Sequence, residues 1–195
     1  MNQGTILIDI KNTITSTINE ILKDFGCFPG KYLTESDARC LLFNLLMQND
    51  IFSELKPTTD KDLSQSIPLH TEVRWYGDSG KLKYRSDIVI IEVSSLRVKE
   101  KMKLPSKGFS FNKFSAIIEI KLRRINGDPD KKFIEKIKAD IKKLKNIKKK
   151  IDGVWDFIPF LLILDKKNNI QHSINSLSNK ADSSNNLQIF YKSSK

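Results

Sequence analysis

The sequence has little of what several common classes of protein require. It contains only two cysteines, Cys27 and Cys40, which give no disulfide framework and form no metal-ligand cluster with the two histidines, His70 and His172. Its longest apolar run, residues 157–164, is far shorter than the roughly 20 residues that span a bilayer. No basic segment followed by a long apolar stretch begins the chain, so we expect no signal peptide and a cytoplasmic protein without membrane contact.

Motifs for several well-known kinds of catalysis are also missing. The sequence has no glycine-rich loop of the kind that holds nucleotide phosphates. Neither histidine lies in a nucleophile motif, so serine–histidine and cysteine–histidine catalysis have no support.

Basic residues, in contrast, are in excess. The 34 lysines and arginines outnumber the 23 aspartates and glutamates, which gives a net charge of +11 and a pI near 9.6. This excess favours a polyanionic partner such as nucleic acid, although a basic domain does not bind nucleic acid in every case.

The N-terminal part of the sequence predicts two helices within residues 5–50. Apolar residues recur at spacings of three and four over residues 6–25, as on one face of a helix, and a glycine follows them. Thr34 is a suitable N-cap for the second helix because Asp37 follows three residues later, as in a capping box. The polar residues 53–66 are expected to form a loop.

The remaining sequence predicts an α/β domain. Alternation, apolar runs and helical spacing predict strands at 69–76, 82–93 and 116–122, a lysine-rich helix at 129–149, a buried strand at 155–164 and an edge strand at 187–191. Residues 94–113 form a long basic connection, and residues 166–186 are a polar segment for which no element is predicted. The order ααβββαββ, without a repeat or a linker, predicts one domain with its core at 67–165 and a C-terminal segment at 166–195. We expect a mixed central sheet flanked by helices.

Three charged residues lie in or beside two of the most apolar predicted strands. Asp87 immediately precedes a run of isoleucine and valine, and Glu119 and Lys121 lie within the strand at 116–122. Residues two apart in a strand share a face, so Glu119 and Lys121 project together, and pairing of the two strands would bring Asp87 beside Glu119. Buried charges are costly unless they are paired or used, and neighbouring carboxylates repel each other unless a cation lies between them.

These residues suit a magnesium site that hydrolyses phosphodiesters. Mg²⁺ prefers hard oxygen ligands, which Asp87, Glu119 and the backbone carbonyl of Ile120 would supply, and Mn²⁺ is expected to substitute. A metal held in this way activates a water and neutralises charge on the scissile phosphate, while Lys121 holds or deprotonates that water. The open alternative is that Glu119 and Lys121 are a pair on an exposed sheet face and that Asp87 caps a strand.

The arrangement of Asp87 followed by Glu119-Ile120-Lys121 resembles the signature of the PD-(D/E)XK, or restriction-endonuclease-like, nuclease superfamily over residues 33–165. The resemblance implies an αβα sandwich and a metal-dependent nuclease, with DNA favoured over RNA and endonuclease over exonuclease activity. It also implies an acidic residue on a preceding helix, for which Glu35 is favoured over Asp37. A serine stands at position 86, where the family has a proline.

Two groups of basic residues are candidates for nucleic-acid binding. The first lies in the long connection, where lysines and arginines are interleaved with phenylalanines: Arg97, Lys99, Lys101, Lys103 and Lys107. The second is Arg123 and Arg124, which directly follow the strand of Glu119 and Lys121 and could bind phosphates. A simply solvated loop is the alternative for the first group. Lys143, one turn from Asp140 on the lysine-rich helix, is a weaker candidate for the site itself.

Two further alternatives stay open at the level of the sequence. His70 and Glu72 share a strand face and either support the site or are solvated. The whole domain, in turn, is either a nuclease or a catalytically inactive module of the same fold that binds nucleic acid or a protein partner. A homodimer is compatible with both.

Overall fold

The computed structural model describes residues 3–59, 65–76, 79, 81–98, 109–110, 113–151 and 156–195. It has α/β architecture, with a five-stranded mixed sheet between helices. The helices are α1 (Gln3–Cys27), α2 (Glu35–Met47), α3 (Asp50–Ser53), α4 (Asp130–Ile151) and α5 (Gln171–Asn185), with short 3-10 helices at Pro29–Lys31 and Val93–Ser95. The strands are β1 (Lys56–Pro57), β2 (Gln65–Ser66), β3 (Leu69–Tyr76), β4 (Leu82–Ile91), β5 (Arg97–Val98), β6 (Phe109–Ser110), β7 (Phe114–Arg123), β8 (Ile158–Asp165) and β9 (Gln188–Ser193).

The central sheet has the strand order β3-β4-β7-β8-β9. Strand β4 is antiparallel to both of its neighbours, β3 and β7, whereas β7, β8 and β9 run parallel. Every residue of β8 is buried, which confirms the prediction of a strand covered on both faces. Strand β9 lies at an edge of the sheet, as predicted for residues 187–191.

Each face of the sheet packs against its own pair of helices. Ile118, Ile120 and Leu122 of β7 pack in the core formed with α1 and α2, whereas Ile117 packs in the core formed with α4 and α5. Because side chains alternate along a strand, Glu119 and Lys121 lie on the α4 side. The predicted apolar stripe of α4 is buried against this face at Phe133, Ile137, Ile141, Leu144 and Ile147.

The start of α2 is fixed by the predicted capping box. The Thr34 side chain accepts a hydrogen bond from the Asp37 amide, and Asp37 Oδ2 accepts one from the Thr34 amide at 2.7 Å. Asp37 Oδ2 also accepts a hydrogen bond from the Leu33 amide at 2.9 Å. These bonds satisfy amides that a helix start otherwise leaves unpaired. They therefore set where the first turn of α2, which carries Glu35, meets the sheet.

The polar segment at 166–186 is a correction to the sequence prediction, because most of it forms helix α5. Its apolar residues are few but helically spaced: Ile170 and Ile174 are buried, and Leu177 packs against the same core. The serines and asparagines that separate these apolar residues make the segment polar in overall composition, so composition alone does not indicate a helix. The segment 53–66, predicted as loop, likewise contains the end of α3 and the paired strands β1 and β2.

Within the described ranges, no helix combines the length and the apolar character that crossing a membrane would require.

Candidate active site

The candidate site lies where β4 and β7 stop pairing. The last paired residues are Ile88 and Ile118, so the next position places Asp87 opposite Glu119. There the Asp87 side chain replaces the missing strand partner: its Oδ2 accepts a hydrogen bond from the Ile120 amide at 2.8 Å. The break in pairing therefore brings Asp87 beside the segment that carries Glu119 and Lys121.

Glu119 is an almost fully buried carboxylate, with 1% of its surface exposed. Its Oε2 lies 2.5 Å from Nζ of Lys143, while its Oε1 is buried without a hydrogen-bond partner. Burial raises the pKa of Glu119 to about 7; the Lys143 ammonium opposes this rise and the nearby Asp87 adds to it. Because an unpartnered buried oxygen is costly, Oε1 is an open position for a cationic ligand.

Lys121 is surrounded by carboxylates. Its Nζ lies 3.0 Å from Asp140 Oδ2 and 3.7 Å from Glu35 Oε1. Burial alone would lower the pKa of Lys121, but Asp140 and Glu35 more than offset it, so the pKa is raised overall. Lys121 therefore carries a protonated ammonium here, a donor that can hold an anionic oxygen.

Glu35, the first residue of α2, reaches the same strand segment. Its Oε1 accepts a hydrogen bond from the Leu122 amide at 3.4 Å and also lies near Lys121. Asp37 is instead used in the capping box. Of the two acidic residues considered from the sequence, Glu35 is thus the one that lies in the candidate site.

Helix α4 brings Asp140 and Lys143 into contact with the strand residues. Lys143 Nζ lies 3.7 Å from Asp140 Oδ1 as well as against Glu119. Acidic and basic groups consequently alternate along one chain of ion pairs: Glu35, Lys121, Asp140, Lys143 and Glu119. From the sequence, Lys143 is only a weak candidate for the site, and no role is predicted for Asp140.

A second group of charges, centred on Arg39, completes the site. Arg39 Nη1 contacts Glu72 and lies 3.4 Å from Asp87 Oδ1, and Arg85 Nη1 lies 2.7 Å from Glu72 Oε2. Glu72 has a φ of 56°, a left-handed backbone conformation that is rare inside a strand. Sequence reasoning missed Arg39, although its position four residues after Glu35 is a usable signal. His70 does not join the group, because its Nε2 lies 2.8 Å from the Ile67 carbonyl oxygen.

The residues present fit a hard divalent cation, although they are not arranged as a ready-made site. Within the described ranges, no cluster of three or more acidic, histidine or cysteine side chains is grouped as a metal site. Asp87, Glu119 and the Ile120 carbonyl nevertheless supply the oxygen donors that Mg²⁺ prefers. The unpartnered Oε1 of Glu119 is the observation that favours a cationic ligand at this carboxylate. In this structure, Arg39 and Lys143 neutralise the two carboxylates instead.

The prediction that Arg123 binds nucleic acid is wrong. Only 1% of its side chain is exposed. Its Nε donates a hydrogen bond to Asp165 Oδ1 at 2.9 Å, its Nη1 lies 2.5 Å from Asp130 Oδ1, and its guanidinium lies 4.7 Å from the Phe133 ring centre. An arginine enclosed in this way is structural, because its departure would leave a buried carboxylate without a counter-charge.

Arg124 differs, because its side chain is exposed beside a polar cleft of about 640 Å³. Lys121, Lys136 and Asn126 also line this cleft, so donors to phosphate border the candidate site. Arg97 is exposed on β5. The predicted binding residues Lys99, Lys101, Lys103 and Lys107 lie outside the described residues.

Comparison of the chain with protein-family models, with curated proteins and with solved structures finds no match. The relation to the PD-(D/E)XK superfamily therefore stays a prediction that depends on the residues of the site.

The raised pKa of Glu119 predicts how the stability of the metal-free protein changes with pH. A glutamate in the unfolded chain titrates near 4.5, whereas Glu119 in the folded protein has a pKa of about 7. Between these values the folded protein binds more protons, so the free energy of unfolding falls as the pH rises. In EDTA, we expect the melting temperature of the wild type, measured relative to Glu119→Gln, to fall from pH 4.5 to pH 7. Parallel pH profiles would contradict this assignment.

Proposed function

We propose that this protein is a magnesium-dependent nuclease of the restriction-endonuclease-like type that hydrolyses phosphodiester bonds within nucleic acid, with DNA favoured. One observation carries the proposal. Asp87, Glu119 and Lys121 converge where β4 and β7 stop pairing, and one buried oxygen of Glu119 has no partner. The mixed sheet with helices on both faces agrees with the αβα sandwich that such nucleases have.

In the proposed reaction, Asp87, Glu119 and the Ile120 carbonyl would hold the metal. When bound there, the ion would supply an activated water and neutralise charge on the scissile phosphate. Lys121 donates hydrogen bonds to the attacking water and to the developing negative charge, since its own ammonium is held in the charged form. Asp140 and Glu35 fix the direction of Lys121 by contacting its Nζ from two sides.

The electrostatics support a polyanionic substrate. The chain has a net charge of +11, and the polar cleft beside Lys121 exposes Arg124 at its border. A phosphate next to the scissile one would fit this cleft, where Arg124 and Lys136 can donate to its oxygens. Such contacts to the backbone position the nucleic acid without reading its sequence.

The direct test is cleavage of supercoiled plasmid DNA by the purified protein. We expect nicked and linear products with Mg²⁺ or Mn²⁺ and no products in EDTA, because the proposed reaction needs the metal to activate the water and to neutralise charge on the phosphate. RNA and single-stranded DNA of the same length serve as comparison substrates. Undiminished cleavage in excess EDTA would contradict the metal mechanism.

A specific observation favours one second candidate, a catalytically inactive nucleic-acid-binding module of the same fold. Glu119 is paired with Lys143 and Asp87 with Arg39, so each acidic ligand already has a counter-ion. Binding of DNA without cleavage of any DNA or RNA substrate in Mg²⁺ or Mn²⁺ would favour this candidate over the nuclease.

A further inference from the structure

Lys143 lies between two carboxylates of the candidate site. Its Nζ is 2.5 Å from Glu119 Oε2 and 3.7 Å from Asp140 Oδ1, and it donates a hydrogen bond to the Arg85 carbonyl oxygen at 3.0 Å. Only 15% of the Lys143 side chain is exposed. The ammonium is therefore held by acceptors from three elements, α4, β4 and β7, and is poorly screened by water.

The contact with Glu119 conflicts with metal binding at the same carboxylate. An ammonium at hydrogen-bond distance from Oε2 and a divalent cation on Oε1 would lie close together in a poorly hydrated site. Their repulsion at such a separation is strong wherever the effective dielectric constant is low. A displacement of the Lys143 ammonium away from Glu119 relieves this repulsion.

Asp140 offers the place to which Lys143 can move. Its Oδ1 already lies 3.7 Å from Lys143 Nζ, one helical turn away on α4, and a change of side-chain rotamer shortens that distance without moving the backbone. Asp140 Oδ2 lies 3.0 Å from Lys121 Nζ, whereas Oδ1 is the oxygen that faces Lys143. The two oxygens of one carboxylate can therefore each accept one of the two ammonium groups.

We propose that Lys143 is an internal counter-ion that competes with the divalent cation for Glu119 and transfers to Asp140 when the metal binds. The inference rests on the proposed function, because it presupposes a metal at Asp87 and Glu119. It adds a device that sets metal affinity: the empty site stays neutralised, and the cation has to displace Lys143 in order to bind.

The test compares Lys143→Met with Lys142→Met, a neighbouring exposed lysine of the same helix. Mg²⁺ binding is measured by calorimetry at increasing pH until the affinity of each variant no longer changes, because removal of Lys143 also removes a charge that lowers the pKa of Glu119. Removal of the competing charge should make Lys143→Met bind Mg²⁺ about tenfold more tightly than the wild type. Lys142→Met should stay within about twofold, because its charge is solvated and screened. Equal or weaker binding by Lys143→Met would overturn the inference.

Asp140→Asn tests the transfer itself in a double-mutant cycle. In the presence of Lys143, Asp140→Asn should weaken Mg²⁺ binding, because the displaced ammonium loses its acceptor. In the Lys143→Met background the same change should have little effect. An equal loss in both backgrounds would mean that Asp140 acts on the metal directly, and it would overturn the transfer.

Thermal melts give a readout that does not depend on activity. Lys143→Met should melt below the wild type in EDTA, since Glu119 loses its counter-ion, and the difference should shrink in saturating Mg²⁺. If methionine prevents folding, Lys143→Gln, which keeps a donor for Glu119, replaces it in each measurement. A wild type that binds no Mg²⁺ would refute the proposed function. If the wild type binds Mg²⁺ and cleaves DNA but Lys143→Met has the same Mg²⁺ affinity as the wild type, only the competition would be refuted.

Discussion

Lys121→Met is expected to lower the single-turnover rate of DNA cleavage about 10³-fold, the scale on which a single preorganised donor contributes to a transition state. The Lys121 ammonium is held by Asp140 and Glu35, and in the proposed reaction it donates to the reacting phosphate. Asp87→Asn and Glu119→Gln should have effects at least as large, because each removes a ligand of the metal. Combined substitutions should be far from additive, since the three residues act as one unit.

The controls for these variants come from the same chain. Lys142→Met and Glu54→Gln change the same types of side chain at exposed positions outside the site and should keep the wild-type rate. Melting curves and DNA affinity in Ca²⁺ separate loss of chemistry from loss of fold or of binding. Near-normal cleavage by Lys121→Met would refute the assignment of the motif.

Asp165→Asn is expected to destabilise the protein by about 3 kcal/mol, which corresponds to a fall of roughly 10 °C in melting temperature for a chain of this size. Asp165 is fully buried and binds the buried Arg123 guanidinium through both carboxylate oxygens. Its Oδ1 also accepts hydrogen bonds from the amides of Lys167 and Asn168. The substitution leaves Arg123 paired with the partly exposed Asp130 but without the buried carboxylate, so much of its charge is buried without compensation.

Asp128→Asn is the matched control for this substitution. Asp128 pairs with Lys132 and Lys136, two lysines with side chains that are more than half exposed. Exposed pairs contribute little to stability, so the melting temperature should change little. If Asp165→Asn melted like Asp128→Asn while DNA binding fell, Arg123 would be a binding residue after all, and its structural role would be refuted.

The fold could be predicted from the sequence wherever the apolar pattern was dense. Strand β3 has the predicted bounds of 69–76, and the stripe of α4 and the capping box of α2 are present as expected. Helix α5 was missed because three apolar residues among serines and asparagines do not outweigh a polar composition. Apolar periodicity indicates which face of a helix is buried, but the signal is weak when few apolar residues lie on that face.

The site could be predicted only along individual strands and helices. The shared face of Glu119 and Lys121 follows from alternation, and the position of Asp87 follows from pairing of the two strands. Contacts between distant segments do not follow. The sequence does not indicate that Glu72 has a left-handed backbone conformation or that it contacts Arg39. It also does not indicate that Arg123 points to Asp165 instead of to solvent. Those directions depend on tertiary packing, which single-sequence patterns do not encode.

The central claim is that Asp87 and Glu119 together bind a divalent cation, and the most direct test is a crystal of the protein soaked in Mn²⁺. Anomalous scattering identifies manganese independently of the electron density of the protein. We expect an anomalous peak between the Asp87 and Glu119 carboxylates, next to the Ile120 carbonyl, with the Lys143 ammonium moved toward Asp140. A fully soaked crystal without that peak, in which Lys143 still contacts Glu119 and Arg39 still lies beside Asp87, would contradict the claim.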